Sequence, residues 1–171
     1  HTYHAEEFSN ARDNYYTQGD AIPGQWHGQL AQPWGLAGDV HADQFRRLAD
    51  GQHPRTGDAL VRSPRAQHYT NAHGEVVKTM AHRAGWDATV SAPKSVSLTA
   101  LVGGDVRVRH AHRDSVTVAL DEMERDVQAQ IGGAQPADRT GRWVAARFEH
   151  DSARPVDGYA APQLHTHVVF F

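Results

Sequence analysis

Apolar positions recur most regularly in VRVRHAHRDSVTVALDEMERDVQAQIGG, residues 106–133, where Val116, Leu120, Met123 and Val127 follow at steps of four, three and four. That stripe predicts a long amphipathic helix, ended by Gly132-Gly133. A shorter helix is predicted within GDVHADQFRRLADGQHP (38–54), with Phe45 and Leu48 as its apolar stripe, Gly51 at its C′ position and Pro54 as its stop. Alternation marks the strands. In GRWVAARFEH (141–150), Val144, Ala146, Phe148 and His150 fall on one face. Trp86–Ser91 is a second strand candidate, followed by a turn at Pro93, and the terminal LHTHVVFF is a third. Residues 4–16 are polar with scattered aromatics and compatible with a helix. TQGDAIPGQWHG (17–28) is punctuated by Gly and Pro and predicts a loop, and residues 55–83 show no period and predict mostly loop. Strands mixed with helices, without regular alternation, indicate an α+β fold with a largely antiparallel sheet.

Composition narrows this picture. A chain of 171 residues suits one domain with a real core. It begins with His1 and stops inside an apolar run, so both ends are expected to be cut from something longer. No stretch has the apolar length of a membrane span and no signal peptide is visible. The absence of cysteine removes disulfides and thiolate metal sites. A soluble, cytoplasmic protein is the expectation. Seventeen basic against twenty acidic residues give a formal charge of −3, which is not the bulk signature of a nucleic-acid binder. Any contact with phosphates therefore needs a local basic patch, a bound cation, or both.

Thirteen histidines are the unusual feature. At that density roughly one His-x-His pair arises by chance, and the chain has two. His110 and His112 lie near the start of the long helix, where residues two apart point about 200° apart and do not grip one ion. That pair is expected at the surface. His165 and His167 lie in a strand context, where residues two apart face the same way. If the strand carrying His150 pairs with theirs, three imidazoles meet on one sheet face. Three histidines leave coordination positions open, the mark of a catalytic metal. Satisfied core histidines fit the same spacing equally well.

Three segments, in order, carry a resemblance. VAARFEHDSARP…PQLHTHVV resembles the metal-binding segment of conjugative relaxases of the TrwC/TraI type, the MobF family. GWDATVSAPKSVSLTALVGGD is similar to their second motif. DNYYTQGDAIPGQWHGQLAQPWGLAGDV resembles their N-terminal tyrosine region, with its Trp-x-Gly and Gly-Leu-x-Gly elements. Together they span nearly the whole chain. The resemblance implies a two-layer α+β palm with a central antiparallel sheet flanked by helices, the HUH endonuclease-like relaxase fold. It also implies a relaxase domain over residues 1–171, truncated at both ends. The implied activity is nicking of one DNA strand at a plasmid transfer origin. A tyrosine attacks the scissile phosphate and retains the 5′-phosphoryl end, initiating conjugative transfer. Implied partners are single-stranded origin DNA, accessory relaxosome proteins, a type IV secretion coupling protein, and a helicase region in the same full-length chain.

The chemistry fits the residues. A divalent cation held by His150, His165 and His167 would stabilise negative charge developing on the phosphate. Mg2+ or Mn2+ is expected, and Zn2+ also suits three imidazoles. Tyrosine, with an unperturbed pKa of about 10, is a weak nucleophile at neutral pH and needs activation. Asp87 sits at the acidic position of the second motif, where it would orient a ligand histidine or take a proton; a turn aspartate is the alternative. Lys94 and Arg154 fall on motif positions that would touch DNA phosphates, and ordinary solvated cations fit as well.

Relatives of this type carry two tyrosine pairs near the N-terminus. Tyr15-Tyr16 matches the second pair. Tyr3-His4 stands for the first, at a longer spacing, and Phe8-Ser9 competes for that alignment without a nucleophile. Tyr3 is the expected first nucleophile and Tyr15 the second. Three other readings stay open. A rolling-circle replication initiator shares the chemistry, but there the paired histidines precede the tyrosine. A cupin-like metal protein needs a carboxylate soon after His-x-His, and the chain stops four residues past His167. A metal-stabilised DNA-binding module would need no tyrosine near the metal.

Overall fold

The fold was read from a computed structural model, which describes residues 24–61, 66–70, 74, 76–80, 84–129 and 136–171. Tyr3, Tyr15, Tyr16 and the helix expected over residues 4–16 lie outside the described residues. In chain order the elements are β1 (Gln25–His27), α1 (Ala42–Ala49), β2 (Ala66–Thr70), β3 (Val76–Met80), β4 (Trp86–Ser91), α2 (Lys94–Leu101), α3 (Val106–Glu124), β5 (Gln128–Ala129), β6 (Asp138–Arg139), β7 (Ala145–Ser152) and β8 (Pro162–Phe170). Four strands form one sheet in the order β1-β7-β8-β4, every pair antiparallel. β2 with β3 and β5 with β6 form separate two-stranded ribbons. The α+β expectation holds.

β7 and β8 lie in the middle of this sheet and are covered on both faces, so their inner residues are buried whichever way they point. Val144, Ala145, Ala146, Leu164, Val168 and Val169 are all 0 % exposed. On one face Trp26, Ala146, Phe148 and Val169 pack with Leu36 and with Phe45 and Leu48 of α1. Phe45 meets Phe148 and Phe171 edge to face, at centroid separations of 5.9 and 5.3 Å. Burying side chains such as these contributes about 1.5–3 kcal/mol each. On the other face Val116 and Leu120 of α3 pack on Trp143, Ala145 and Val168, while Ala100 of α2 packs on Ala92 and Leu164.

Helix ends follow local chemistry. After α1, Gly51 takes φ 71°, its N–H meets Leu48 O at 2.9 Å, and the Gln52 N–H meets Arg47 O at 2.8 Å, the Schellman arrangement. Asp105 caps α3 by accepting from the Arg107 N–H at 3.0 Å. The Trp-x-Gly element also acquires a reason. Gly28 has φ 103°, and a Cβ there would lie 2.5 Å from Trp143 O. Only glycine accepts both the angle and the approach.

Five expectations are corrected. The long helix ends at Glu124 instead of running to Gly132, because the chain turns out to form β5 against β6. Its buried stripe is His112, Val116, Leu120 and Glu124, while Met123 is 51 % exposed. His112, expected at the surface, is 8 % exposed, and His110 is the exposed member of that pair. β1 lies inside the stretch expected to be loop, and β2 and β3 lie inside residues 55–83, because strand pairing supplied order that local pattern did not show. Pro93 is the N-cap of α2, a helix that the turn expected there did not foresee.

A candidate metal centre on the central strands

The register of β7 and β8 sets His150 opposite His165 and Phe148 opposite His167. On the other side, β4 sets Thr89 opposite His167 and Asp87 opposite Val169. Directly paired residues share a face, so His150, His165 and His167 lie together on the face that also carries Phe148 and Val169. One half of that face is dry core and the other half is imidazole. The ring centroids form a near-equilateral triangle, 5.3 Å between His150 and His165, 5.3 Å between His150 and His167, and 5.1 Å between His165 and His167.

Hydrogen bonds fix which nitrogen of each ring is available. His165 Nδ1 lies 2.9 Å from Gln163 O, and a carbonyl only accepts, so Nδ1 carries the proton and Nε2 the lone pair. His167 Nδ1 lies 3.4 Å from Asp87 Oδ1 and 3.3 Å from Thr89 Oγ1. A carboxylate beside Nδ1 draws the proton there and leaves Nε2 as the ligand atom. Burial first, then charge on His167 and His165, hold His150 well below the usual histidine range, at about 4. It is neutral at physiological pH, as a ligand imidazole must be. Three imidazoles with two Nδ1 atoms tied back form a donor set that fits one divalent cation with open positions.

The opposite face braces these strands. Glu149, its side chain 8 % exposed, accepts from Arg109 Nε at 2.6 Å and Arg113 Nη2 at 3.0 Å, and Arg109 also pairs with Asp151. Thr166, between the two β8 histidines, meets His112 Nε2 at 3.1 Å. Residues flanking the ligands are thereby tied to α3.

The structure brings His150, His165, His167 and Asp87 together. Lys94 heads α2 and donates from Nζ to Pro162 O at 2.7 Å, which anchors the start of β8. Arg154 is exposed in the connection from β7 to β8. That connection closes in a tight turn through Asp157 (φ 50°) and Gly158 (φ 80°), with Val156 and Tyr159 exchanging hydrogen bonds of 2.9 Å. Thr89, Glu149 and His112 were missed in the sequence. The only signal for His112 and Glu124 was their spacing of four from Val116 and Leu120.

The chain is also similar to known proteins along most of its length. The chain is 38 % identical over 167 residues to the multifunctional conjugation protein TraI of Escherichia coli, a match covering 96 % of the chain but only 8 % of that relative. Among solved structures it resembles the conjugative relaxase TrwC in complex with oriT DNA. The metal-free form has a TM-score of 0.69 at 36 % identity over 91 % of this chain, and the metal-bound form 0.66 at 33 % over 97 %. The match spans 49 % and 51 % of those two chains. The model of the TrwC relaxase family matches residues 1–171. With an antiparallel sheet presenting three histidines and this similarity along its whole length, the chain belongs to the TrwC relaxase family.

Proposed function

We propose that this chain forms the metal-bearing part of a site that nicks and transfers one strand of DNA at a plasmid transfer origin. The single observation that carries the proposal is the convergence of His150, His165 and His167 on one sheet face. Nδ1 of His165 and of His167 is hydrogen-bonded away from the cluster. Relatives of the same family have been solved with oriT DNA and with bound metal, which supports the reading.

In this proposal His150, His165 and His167 hold a divalent cation, Mg2+ or Mn2+ with Zn2+ as the other fit, and Asp87 orients His167. When bound, the cation supplies positive charge to a phosphate oxygen of the scissile linkage. A tyrosine from the N-terminal segment, Tyr3 first and Tyr15 or Tyr16 next, attacks phosphorus through its phenolic oxygen. The new Tyr–O–P bond replaces the P–O3′ bond, and the phenolic proton leaves as the 3′-oxygen gains one. The 5′-phosphoryl end stays on the enzyme. Arg154 contacts phosphate. Lys94 has donors to spare beyond the one given to Pro162 and does the same.

The chain is a relaxase domain of a longer cytoplasmic protein in this proposal, since it spans 8 % of the curated relative it matches. A helicase region in the same protein, accessory relaxosome proteins and a type IV secretion coupling protein complete the assembly. Among the described residues no helix is long and apolar enough to cross a membrane. An open four-stranded sheet covered by helices differs from the double-sheet roll of a cupin, and membership of a relaxase family sets the rolling-circle reading aside.

The test incubates the full-length protein with an origin oligonucleotide and Mg2+ or Mn2+, then denatures it in detergent. A covalent protein–DNA species that requires the cation and His167 is expected. DNA binding without that species would refute the covalent mechanism. Tyr3→Phe and Tyr15→Phe, singly and together, assign the nucleophile.

A further inference from the structure

On the sheet face opposite the histidine triad, β1 approaches the C-terminal end of α3. His27, Asp121 and Glu124 there each present a ligand atom, and the three atoms lie within 4.8 Å of one another. His27 is the middle residue of the Trp-x-Gly element, and its side chain is 11 % exposed. Its Nε2 is buried, and Asp121 Oδ1 lies 3.1 Å away as its ion-pair and hydrogen-bond partner. Two donors that share one cation at about 2.0–2.2 Å stand about 3.0–3.5 Å apart, from octahedral to tetrahedral geometry, and the observed separation falls in that range.

The third group is held in place. Glu124 is 3 % exposed, and its Oε1 accepts from the Gln29 N–H at 2.7 Å and the Trp143 N–H at 3.0 Å. Those amides fix the carboxylate and occupy one oxygen, and Oε2 keeps its own lone pairs. Arg147 is the neighbouring cation, with its guanidinium tied to Thr117 Oγ1 at 2.7 Å and Gln25 Oε1 at 3.1 Å. Two carboxylates against one guanidinium leave the cluster one charge negative, which suits a divalent ion. Asp121, 56 % exposed, stands at the mouth where such an ion would enter.

We propose that His27, Asp121 and Glu124 form a second metal site, separate from the triad, for a divalent transition ion of the Zn2+, Mn2+ or Co2+ class. One imidazole with two carboxylates suits these ions. The bound ion joins β1 and the turn at Gly28 to the end of α3. Its role is structural, holding β1 on the helix layer. It does not depend on the nicking chemistry.

The probe is Co2+, added to chelator-stripped full-length protein and followed by its visible absorption and by metal content after desalting. Asp121→Ala, at an exposed side chain, and His27→Gln are each expected to bind one ion fewer than the parent. Both also lose part of the rise in melting temperature that the metal confers. His167→Ala, by contrast, removes a different ion and leaves the His27 site filled. Asp121→Ala keeps the covalent adduct with origin DNA, so failure of this site and failure of the nicking proposal are read separately. Unchanged Co2+ stoichiometry in both Asp121→Ala and His27→Gln would overturn the inference.

Discussion

His112 Nε2 lies 3.1 Å from Thr166 Oγ1, joining the N-terminal half of α3 to the one residue that separates His165 from His167 on β8. Thr166 points away from the metal face, so the bond restrains the strand without entering the site. His112→Leu leaves the Thr166 hydroxyl buried without its partner, a loss of about 1–3 kcal/mol. It should also weaken metal binding by roughly tenfold, because the two ligands flanking Thr166 lose their brace. His112→Gln, which can place an amide nitrogen near the same point, should restore most of the affinity. Mn2+ titration beside thermal unfolding separates the outcomes, since a purely structural residue lowers the melting temperature and leaves metal affinity alone.

Asp87 is expected to act through His167 and not on DNA. Asp87→Asn removes the charge beside Nδ1, and metal affinity should fall by about 10–100-fold. DNA affinity in the absence of metal should stay the same. Calorimetric titration of each ligand separately checks this, and an effect confined to DNA binding would contradict the role.

Glu149 bridges two arginines of α3 from a side chain only 8 % exposed. Glu149→Gln leaves Arg109 and Arg113 facing a neutral amide. The expected loss is roughly 2–3 kcal/mol, below that of a wholly buried pair because Arg113 is 42 % exposed. Urea unfolding should show a lower midpoint at unchanged slope.

Gly28 and Gly38 both have positive φ, 103° and 70°, but only Gly28 has backbone where a Cβ would go. Gly28→Ala should destabilise by about 1–3 kcal/mol or prevent folding. Gly38→Ala, with nothing within 4 Å of its Cβ, should cost only the backbone strain of about 1 kcal/mol. The order of the two melting temperatures decides the matter.

Asp105 caps α3, and hydrogen bonds from the Arg107 side chain and backbone hold its carboxyl below the ordinary 3.8, at about 2. A depressed carboxyl releases its proton more readily when folded, so its contribution is complete above about pH 4 and disappears as pH falls through about 2. Asp105→Asn keeps a capping oxygen but should flatten the pH dependence in that window. Acid unfolding followed by circular dichroism compares the two.

The histidine face was legible because a strand's period of two is local. His165 and His167 had to share a face, and alternation from Val144 to His150 aligned the third histidine with them. The resemblance of the flanking motifs pointed to the same residues. Helix α1, with its glycine stop, was legible for a similar reason. What the sequence alone could not decide was where its polar residues find partners. His112 and Glu124 sit at helical spacing from Val116 and Leu120, yet a polar residue is buried only where a partner awaits it. Their partners, Thr166 and the amides of Gln29 and Trp143, lie 54, 95 and 19 residues away along the chain. β1 is the same case, a three-residue strand with no pattern of its own, ordered by its pairing with β7. The sequence by itself determined that His165 and His167 share a face and that His150 continues the face of Phe148, through a periodicity carried by each strand. Tertiary structure decided the braces behind them and the grouping of His27 with Asp121 and Glu124, because burial of a polar group depends on neighbours that only folding brings near.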